Sequence, residues 1–378
     1  MERLRTDSLN AMGCFRDKEA EALLVLMRSG LWEREPDDWS LFPLSDDSWQ
    51  SVYQLAVGQT ITGIVYRGIC HLPDRFLPSG KILMRWVAAV DAIERQNRKM
   101  NVVLAELYDL FTSEGVAVVL QKGQGVALMY EQPMLRECGD IDFYFLTRKD
   151  CAESLRILKS RNIRVTPAAD DSFHYTWKGV KVEHHVRLFD VHNRYAVSLL
   201  KEKEREKGFV RLKMPGGQGA DIWVPSPLLN IVMLNMHIMK HALGYGVGLR
   251  QFCDMARASW SLRHDVDFRE LRTVCEKTGI GKWSRLLYAF LAEYAGLPED
   301  VRIYGEKPLS PRPLLDIVLK GGNFGFHDRF RAGVVEKAVW KRKLHTLWAY
   351  LRRFAFSVRY APQEMCWTLF SLTRGQFK

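Results

Sequence analysis

The segment RECGDIDFYF, residues 136–145, places a glycine before a short apolar run that carries two carboxylates at spacing two, Asp140 and Asp142. In an extended strand, residues i and i+2 point to the same face, so we expect the two acids to lie side by side. Two such acids repel each other unless a cation lies between them, and Mg²⁺ or Mn²⁺ is the usual partner of hard oxygen ligands. The segment therefore predicts a phosphoryl- or nucleotidyl-transfer site. The alternative is one Asp that caps a turn and a second that faces solvent.

The composition is that of an ordinary globular protein. The chain has 378 residues, of which 47% are hydrophobic and 26% charged, so it is long enough for two or three domains with real cores. Its seven cysteines are scattered, odd in number and without a CxxC pair. This pattern argues against a disulfide framework and a zinc ribbon, and it favours a reducing compartment.

Charge and hydropathy indicate the cellular compartment of the protein but do not identify its binding partner. The first residues contain no apolar stretch typical of a signal peptide, and no apolar run has spanning length, so we expect a cytoplasmic protein. The formal net charge of +11 attracts polyanions. It does not distinguish nucleotides, nucleic acid and an anionic membrane surface.

Periodicity divides the chain into three segments. Residues 1–100 read as a helical N-terminal region, residues 101–225 as a mixed α/β core, and residues 226–378 as a helical C-terminal region. The expected fold class is α+β, with a small mixed sheet flanked by helical regions. Within the core we expect a strand over Val116–Leu120, a hairpin that turns at Lys178-Gly179, and a second hairpin built from residues 209–214 and 221–224.

Two further segments of the core carry candidate functional residues. Lys122-Gly123-Gln124-Gly125 follows the first strand and precedes a short helix, and such glycines let backbone N–H groups approach a phosphate. Alone, this loop is equally typical of a tight turn. Glu183 lies in the predicted strand Val180–Leu188, and alternation puts it on the face opposite Val182. It is either a third acid beside Asp140 and Asp142 or a surface residue paired with a neighbouring base.

These motifs together resemble a known family. Leu120-Gln121-Lys122-Gly123, then Arg136-x-x-Gly139-Asp140-Ile141-Asp142-Phe143, then Val182-Glu183-His184-His185-Val186-Arg187-Leu188 are similar to the uncharacterised nucleotidyltransferase family of the polymerase-β-like superfamily. The resemblance covers roughly residues 100–260. Members of this family are frequent in bacterial surface-polysaccharide gene clusters, which implies a role in polysaccharide biosynthesis.

The resemblance implies a nucleotidyltransferase core and a division of labour among its residues. Lys122, Gly123 and Gln124, with Arg136 as a phosphate ligand or a brace for the acids, would hold a nucleoside triphosphate. The catalytic and metal-binding acids would be Asp140, Asp142 and Glu183. Mg²⁺ (or Mn²⁺) would assist transfer of a nucleoside monophosphate to a hydroxyl or phosphate acceptor, which is a sugar, a small molecule, a protein or RNA.

Two residues depart from the family pattern. Gln124 stands where a Ser or Gly is usual, and Glu183 stands where an Asp is usual. A nucleotide-binding or toxin-like module with a degenerate catalytic site is therefore an alternative to an active enzyme.

Two other patterns suggest different functions. His237 and His241 share a helix face at spacing four, and with His184, His185 or Asp254 they would suit a zinc-dependent hydrolase. No HExxH motif accompanies them, and histidines that pack between helices are the competing interpretation. The basic, aromatic stretch 337–360 is typical of a helix that packs on its own domain or of one that lies on an anionic membrane.

Overall fold

The computed structural model describes residues 17–168, 172–214, 221–244, 246–301, 303–304, 309–321 and 353–374. Most of the basic aromatic stretch 337–360 lies outside these residues, so only its end, a helix over Phe354–Tyr360, is seen. In the part of the chain that is described, no helix combines the length and apolarity needed to cross a bilayer.

Helices make up most of the described chain. They are α1 (Asp17–Trp32), α2 (Asp46–Gly58), α3 (Thr62–Cys70), α4 (Gly80–Ser113), α5 (Gln124–Ala127), α6 (Arg148–Ser160), α7 (Arg194–Lys207), α8 (Pro227–Leu243), α9 (Leu249–Ser261), α10 (Phe268–Lys277), α11 (Gly281–Tyr294), α12 (Arg312–Gly321), α13 (Phe354–Tyr360) and α14 (Pro362–Arg374). Single 3₁₀ turns lie at Asp74–Phe76, Pro133–Leu135 and Glu299–Val301.

A five-stranded mixed sheet forms the centre of the α/β segment. Its strands are β1 (Val118–Leu120), β2 (Ile141–Phe145), β3 (Thr166–Pro167), β4 (Phe173–Trp177) and β5 (Val180–His185), in the spatial order β1-β2-β5-β4-β3. The β2–β5 pair is parallel, and the other pairs are antiparallel. Strands β6 (Phe209–Leu212) and β7 (Ile222–Pro225) form a separate antiparallel pair. The expected α+β fold class with its small mixed sheet is confirmed.

Aromatic and β-branched residues explain why these segments form strands. Every residue of β2 is buried, and its phenylalanines contribute to a core that also includes Phe111 of α4 and Ile157 of α6. Strand β5 alternates instead, with Val180, Val182 and His184 buried and the residues between them more exposed. One face of β5 therefore belongs to the core, and the other is open for polar chemistry.

The predicted hairpin turn at Lys178-Gly179 is confirmed, since both residues have positive φ angles, +47° and +77°. Several predicted strands are shorter than expected. The strand predicted over Val116–Leu120 begins at Val118. The strand predicted over Val180–Leu188 ends at His185. The short helix expected after the glycine loop is the single turn Gln124–Ala127. One turn aligns few peptide dipoles, so it adds little to phosphate binding.

The described residues group into two compact units. One takes its described residues from 1–92, 241–256 and 285–362, and the other takes them from 93–240, 257–284 and 363–378. The second unit contains both sheets and the candidate nucleotide- and metal-binding residues from Lys122 to Glu183. The sequence predicts three consecutive segments, with boundaries at residues 101 and 226, whereas each of these two units is built from several separate ranges. The three-segment division stays a proposal.

Candidate active site

Strands β2 and β5 bring two acids together. The parallel register pairs Asp142 with Glu183, as it pairs Ile141 with Val182 before them. Neighbours in register on adjacent strands point to the same face of a sheet, so both carboxylates leave the sheet on the side away from the aromatic core. The two acids are 41 residues apart in sequence, and the chain between β2 and β5 forms α6, β3 and β4.

A histidine completes this group. His185 lies two residues after Glu183 on the same face of β5, and its Nε2 is 2.9 Å from Oδ1 of Asp142 and 3.6 Å from Oε2 of Glu183. One potential ligand atom from each of Asp142, Glu183 and His185 lies within 4.8 Å of the others. Among the described residues, this is the group of His, Cys, Asp and Glu side chains arranged to hold a metal ion.

Two lysines neutralise the acids. Nζ of Lys122 is 3.4 Å from Oδ1 of Asp142. Lys181 contacts Glu183 and lies 3.6 Å from Oδ2 of Asp140. Burial lowers the pKa of Lys122, but the charges of Asp142 and other nearby acids outweigh it and raise that pKa, so the side chain stays cationic.

The two acids of the opening segment have different environments. Burial disfavours ionisation of Asp142, yet the charge of Lys122 and the hydrogen bond with His185 hold its pKa below the usual value. Asp140 precedes β2, and its side chain is 35% exposed at the rim of the group. Burial and the charges of Asp142 and Glu183 raise the pKa of Asp140. Asp142 therefore ionises more readily than Asp140.

The glycine loop lies against this group. Gly123 has φ +66° and ψ −116°, a conformation that side chains disfavour, and a Cβ there would be 3.3 Å from the carbonyl oxygen of Asp140. Gln124 is 2% exposed, and both polar atoms of its amide lack a hydrogen-bond partner among the described residues. A buried amide without partners is costly, which makes Gln124 a candidate ligand-binding residue.

Arg136 is a buried residue of the segment that leads to β2. It is 4% exposed, and its Nη1 is 3.0 Å from Sγ of Cys138. The Arg136 carbonyl accepts a hydrogen bond from Asn97 of α4. These contacts hold the segment before β2 in place, and the role of Arg136 towards the acids or a nucleotide stays a prediction.

A second polar group near Lys122 was missed at the level of sequence. Asp190, in the loop after β5, is 3.1 Å from Nδ1 of His237 and 2.7 Å from Nζ of Lys240, both on α8. Its charge contributes to the raised pKa of Lys122. The sequence indicates this group only through the spacing of three between His237 and Lys240, which puts both on one face of a helix. Asp190 lies in a loop, 47 residues before His237, so no periodic pattern connects it to them.

The zinc-hydrolase alternative does not match the described geometry. His184 is fully buried on the core face of β5, where it contacts Oγ of Ser154 and the hydroxyl of Tyr175. His237 bonds to Asp190. Within the described residues, the metal-ligand group includes neither of them, nor His241 or Asp254. The reason is strand alternation, which turns His184 away from His185.

A comparison with family models identifies the class of protein. Residues 45–296 match the family described as uncharacterised nucleotidyltransferase. The chain belongs to this family, and it is therefore a nucleotidyltransferase by class, with a nucleotide as the substrate that class implies.

The other comparisons add less. A search of solved structures finds an antigenic nucleotidyltransferase-like protein from Paracoccidioides brasiliensis. Its sequence is 16% identical to this one, the match covers 52% of this chain and 92% of that protein's chain, and the TM-score is 0.31. That likeness is too loose to support any argument about the site. A search of curated proteins finds no match.

Proposed function

We propose that this protein transfers a nucleoside monophosphate from a nucleoside triphosphate to a hydroxyl or phosphate acceptor, with the help of a divalent metal ion. The observation that carries the proposal is the in-register pairing of Asp142 with Glu183, with the glycine loop at Gly123 packed beside them. Family membership supports the reaction class but not the metal or the substrates.

The donor set suits a divalent cation. Asp142 is held as an anion, and it offers carboxylate oxygens together with Glu183, whereas Asp140 lies at the rim, outside the metal-ligand group of the described residues. When bound, such an ion would neutralise charge on the phosphates and on the oxygens that attack and leave. Carboxylate oxygens are the ligands that Mg²⁺ and Mn²⁺ prefer.

The chain's own residues would do the remaining work. Lys122 would place a positive charge beside the phosphates, and Gly123 would let the backbone approach them. Glu183 would accept the proton of the acceptor hydroxyl. The acceptor oxygen would then form a bond to the α-phosphorus as the bond to pyrophosphate breaks, and pyrophosphate would leave with its electron pair.

The acceptor and setting are proposed from the resemblance alone. A family frequent in polysaccharide gene clusters makes a sugar or sugar phosphate the first acceptor to try, in a cytoplasmic reaction. A nucleotide-binding or toxin-like module without this turnover is the competing function, because Gln124 and Glu183 depart from the family pattern.

The decisive experiment compares Asp142→Asn with the wild type. Each labelled nucleoside triphosphate is incubated with protein, divalent metal and cell extract, and pyrophosphate release and labelled products are measured. We expect the variant to lose at least about 100-fold in rate, because it removes an interaction with charge that develops during transfer. Asp109→Asn changes an exposed aspartate of α4 in the same unit and serves as the control.

Circular dichroism of both variants separates loss of chemistry from loss of folding. Equal turnover in the wild type and Asp142→Asn would refute the catalytic proposal. Nucleotide binding without pyrophosphate release under any condition would favour the binding module.

A further inference from the structure

The metal-ligand group contains a histidine ring nitrogen as well as carboxylate oxygens, and divalent ions differ in how well they bind nitrogen. His185 presents Nε2 to both acids, at 2.9 Å from Asp142 and 3.6 Å from Glu183. We propose that His185 is itself a metal ligand and that the site therefore prefers Mn²⁺ to Mg²⁺. The inference rests on the proposed metal-dependent function and names the ion and the residue that selects it.

Local structure fixes which ring atom faces the acids. Strand alternation puts His185 on the same face as Glu183, and the parallel register puts Asp142 beside both. The preceding residue, His184, shows the contrast: its ring is enclosed by Ser154 and Tyr175 on the core side and is unavailable to a ligand. His185 is 22% exposed, so its ring is reachable from the site while partly shielded from water.

Ligand chemistry then discriminates between ions. Mg²⁺ binds almost entirely through oxygen and keeps several of its waters. Mn²⁺ also prefers oxygen ligands, but as a first-row transition ion it accepts an imidazole nitrogen more readily than Mg²⁺ does, so an Asp–Glu–His set gives Mn²⁺ a ligand that Mg²⁺ uses poorly. The alternative is that His185 acts only as a hydrogen-bond donor that keeps Asp142 ionised. That role would strengthen binding of both ions by a similar factor.

The test detects the nitrogen directly. Full-length protein is loaded with Mn²⁺, and electron spin-echo envelope modulation is recorded for the wild type, His185→Gln and His174→Gln. His174 pairs with Glu183 across β4 and β5, so it is a histidine of the same sheet that lies outside the ligand group. We expect nitrogen modulation in the wild type and His174→Gln, and its loss in His185→Gln.

Binding titrations provide the second readout. Mn²⁺ affinity is measured from the free-ion signal, and Mg²⁺ affinity by competition against Mn²⁺. We expect His185→Gln to weaken Mn²⁺ binding by about tenfold or more and Mg²⁺ binding by less. Modulation that persists in His185→Gln, or equal weakening for both ions, would overturn the assignment of His185 while the proposed function stands. If the wild type binds Mn²⁺ no better than Asp142→Asn, the proposed metal site itself fails.

Discussion

The neighbouring residues His184 and His185 have opposite roles, although the sequence gives them the same chemistry. His185 faces the acids, whereas His184 is fully buried and lies among the rings of Phe145, Phe173 and Tyr175. Burial, and to a smaller extent the adjacent His185, hold the pKa of His184 well below its ordinary value of 6.5. The ring is therefore neutral in the folded protein.

We predict that His184 makes the folded state sensitive to acid. Below about pH 6.5 the unfolded chain binds a proton at this ring and the folded chain does not, so the free energy of unfolding falls by up to about 1.4 kcal/mol per pH unit. The contribution is fully present above pH 6.5 and is lost as the pH decreases. Urea unfolding at pH 7.5, 6.5 and 5.5 measures it.

His184→Gln keeps a polar side chain that does not titrate, so it should flatten this dependence even though it lowers stability at pH 7.5. His264→Gln, which changes an exposed histidine, should leave the slope as in the wild type. An identical slope in all three proteins would show that His184 is not the group responsible.

The proposed binding of a nucleotide by the glycine loop depends on the backbone of the loop rather than on a helix dipole. The helix that follows it has one turn, so the loop conformation, rather than aligned peptide dipoles, would bring backbone N–H groups to a nucleotide in the proposed function. The close approach of Gly123 to the Asp140 carbonyl and the 3.4 Å contact of Lys122 with Asp142 link the loop to the acids. Gly139, two residues before Ile141, is less constrained, since a Cβ there would meet nothing within 4 Å.

We therefore predict that Gly123→Ala is destabilising and inactivating. The left-handed backbone should cost roughly 1–2 kcal/mol in the free energy of unfolding, and displacement of the loop from Asp140 should reduce nucleotide affinity. Thermal unfolding and nucleotide titration measure the two effects. Gly139→Ala is the matched control and should change neither by much. If Gly123→Ala behaved like the control, the loop would not need its glycine.

The sheet-containing unit draws on distant parts of the chain. Glu364 of α14 is 6% exposed, and its carboxylate accepts hydrogen bonds from the backbone N–H of His192 at 2.6 Å and of Asn193 at 3.2 Å. Asn193 in turn caps α7 through its side chain. The last described helix is thus tied to the start of α7, 171 residues earlier in the chain.

We predict that Glu364→Ala lowers the free energy of unfolding by about 2 kcal/mol, because two backbone donors lose a charged acceptor. Chemical denaturation monitored by tryptophan fluorescence measures the change. Cys366→Ser, an exposed position on the same helix, should be close to neutral. A neutral Glu364→Ala would mean that α14 contributes little to this unit.

Local patterns predicted most of the elements. Alternation in Val180–His185, the positive-φ turn at Lys178-Gly179 and the acidic segment before Phe143 depend on neighbours in sequence, so the hairpin, the strand β2 and the family resemblance follow from them. The same patterns misjudged the start of β1 and the end of β5. Where an element stops depends on packing and hydrogen bonding that sequence periodicity does not record.

Sequence alone thus established the α+β class, the family and the acids Asp140, Asp142 and Glu183 as candidates, because motif spacing and strand periodicity are properties of short segments. Only the folded structure decided which groups meet. The β2–β5 register placed His185 with Asp142 and Glu183, and left Asp140 at the rim. Docking of α8 brought His237 to Asp190. These contacts join residues 43 to 47 positions apart, and no local rule specifies such pairings.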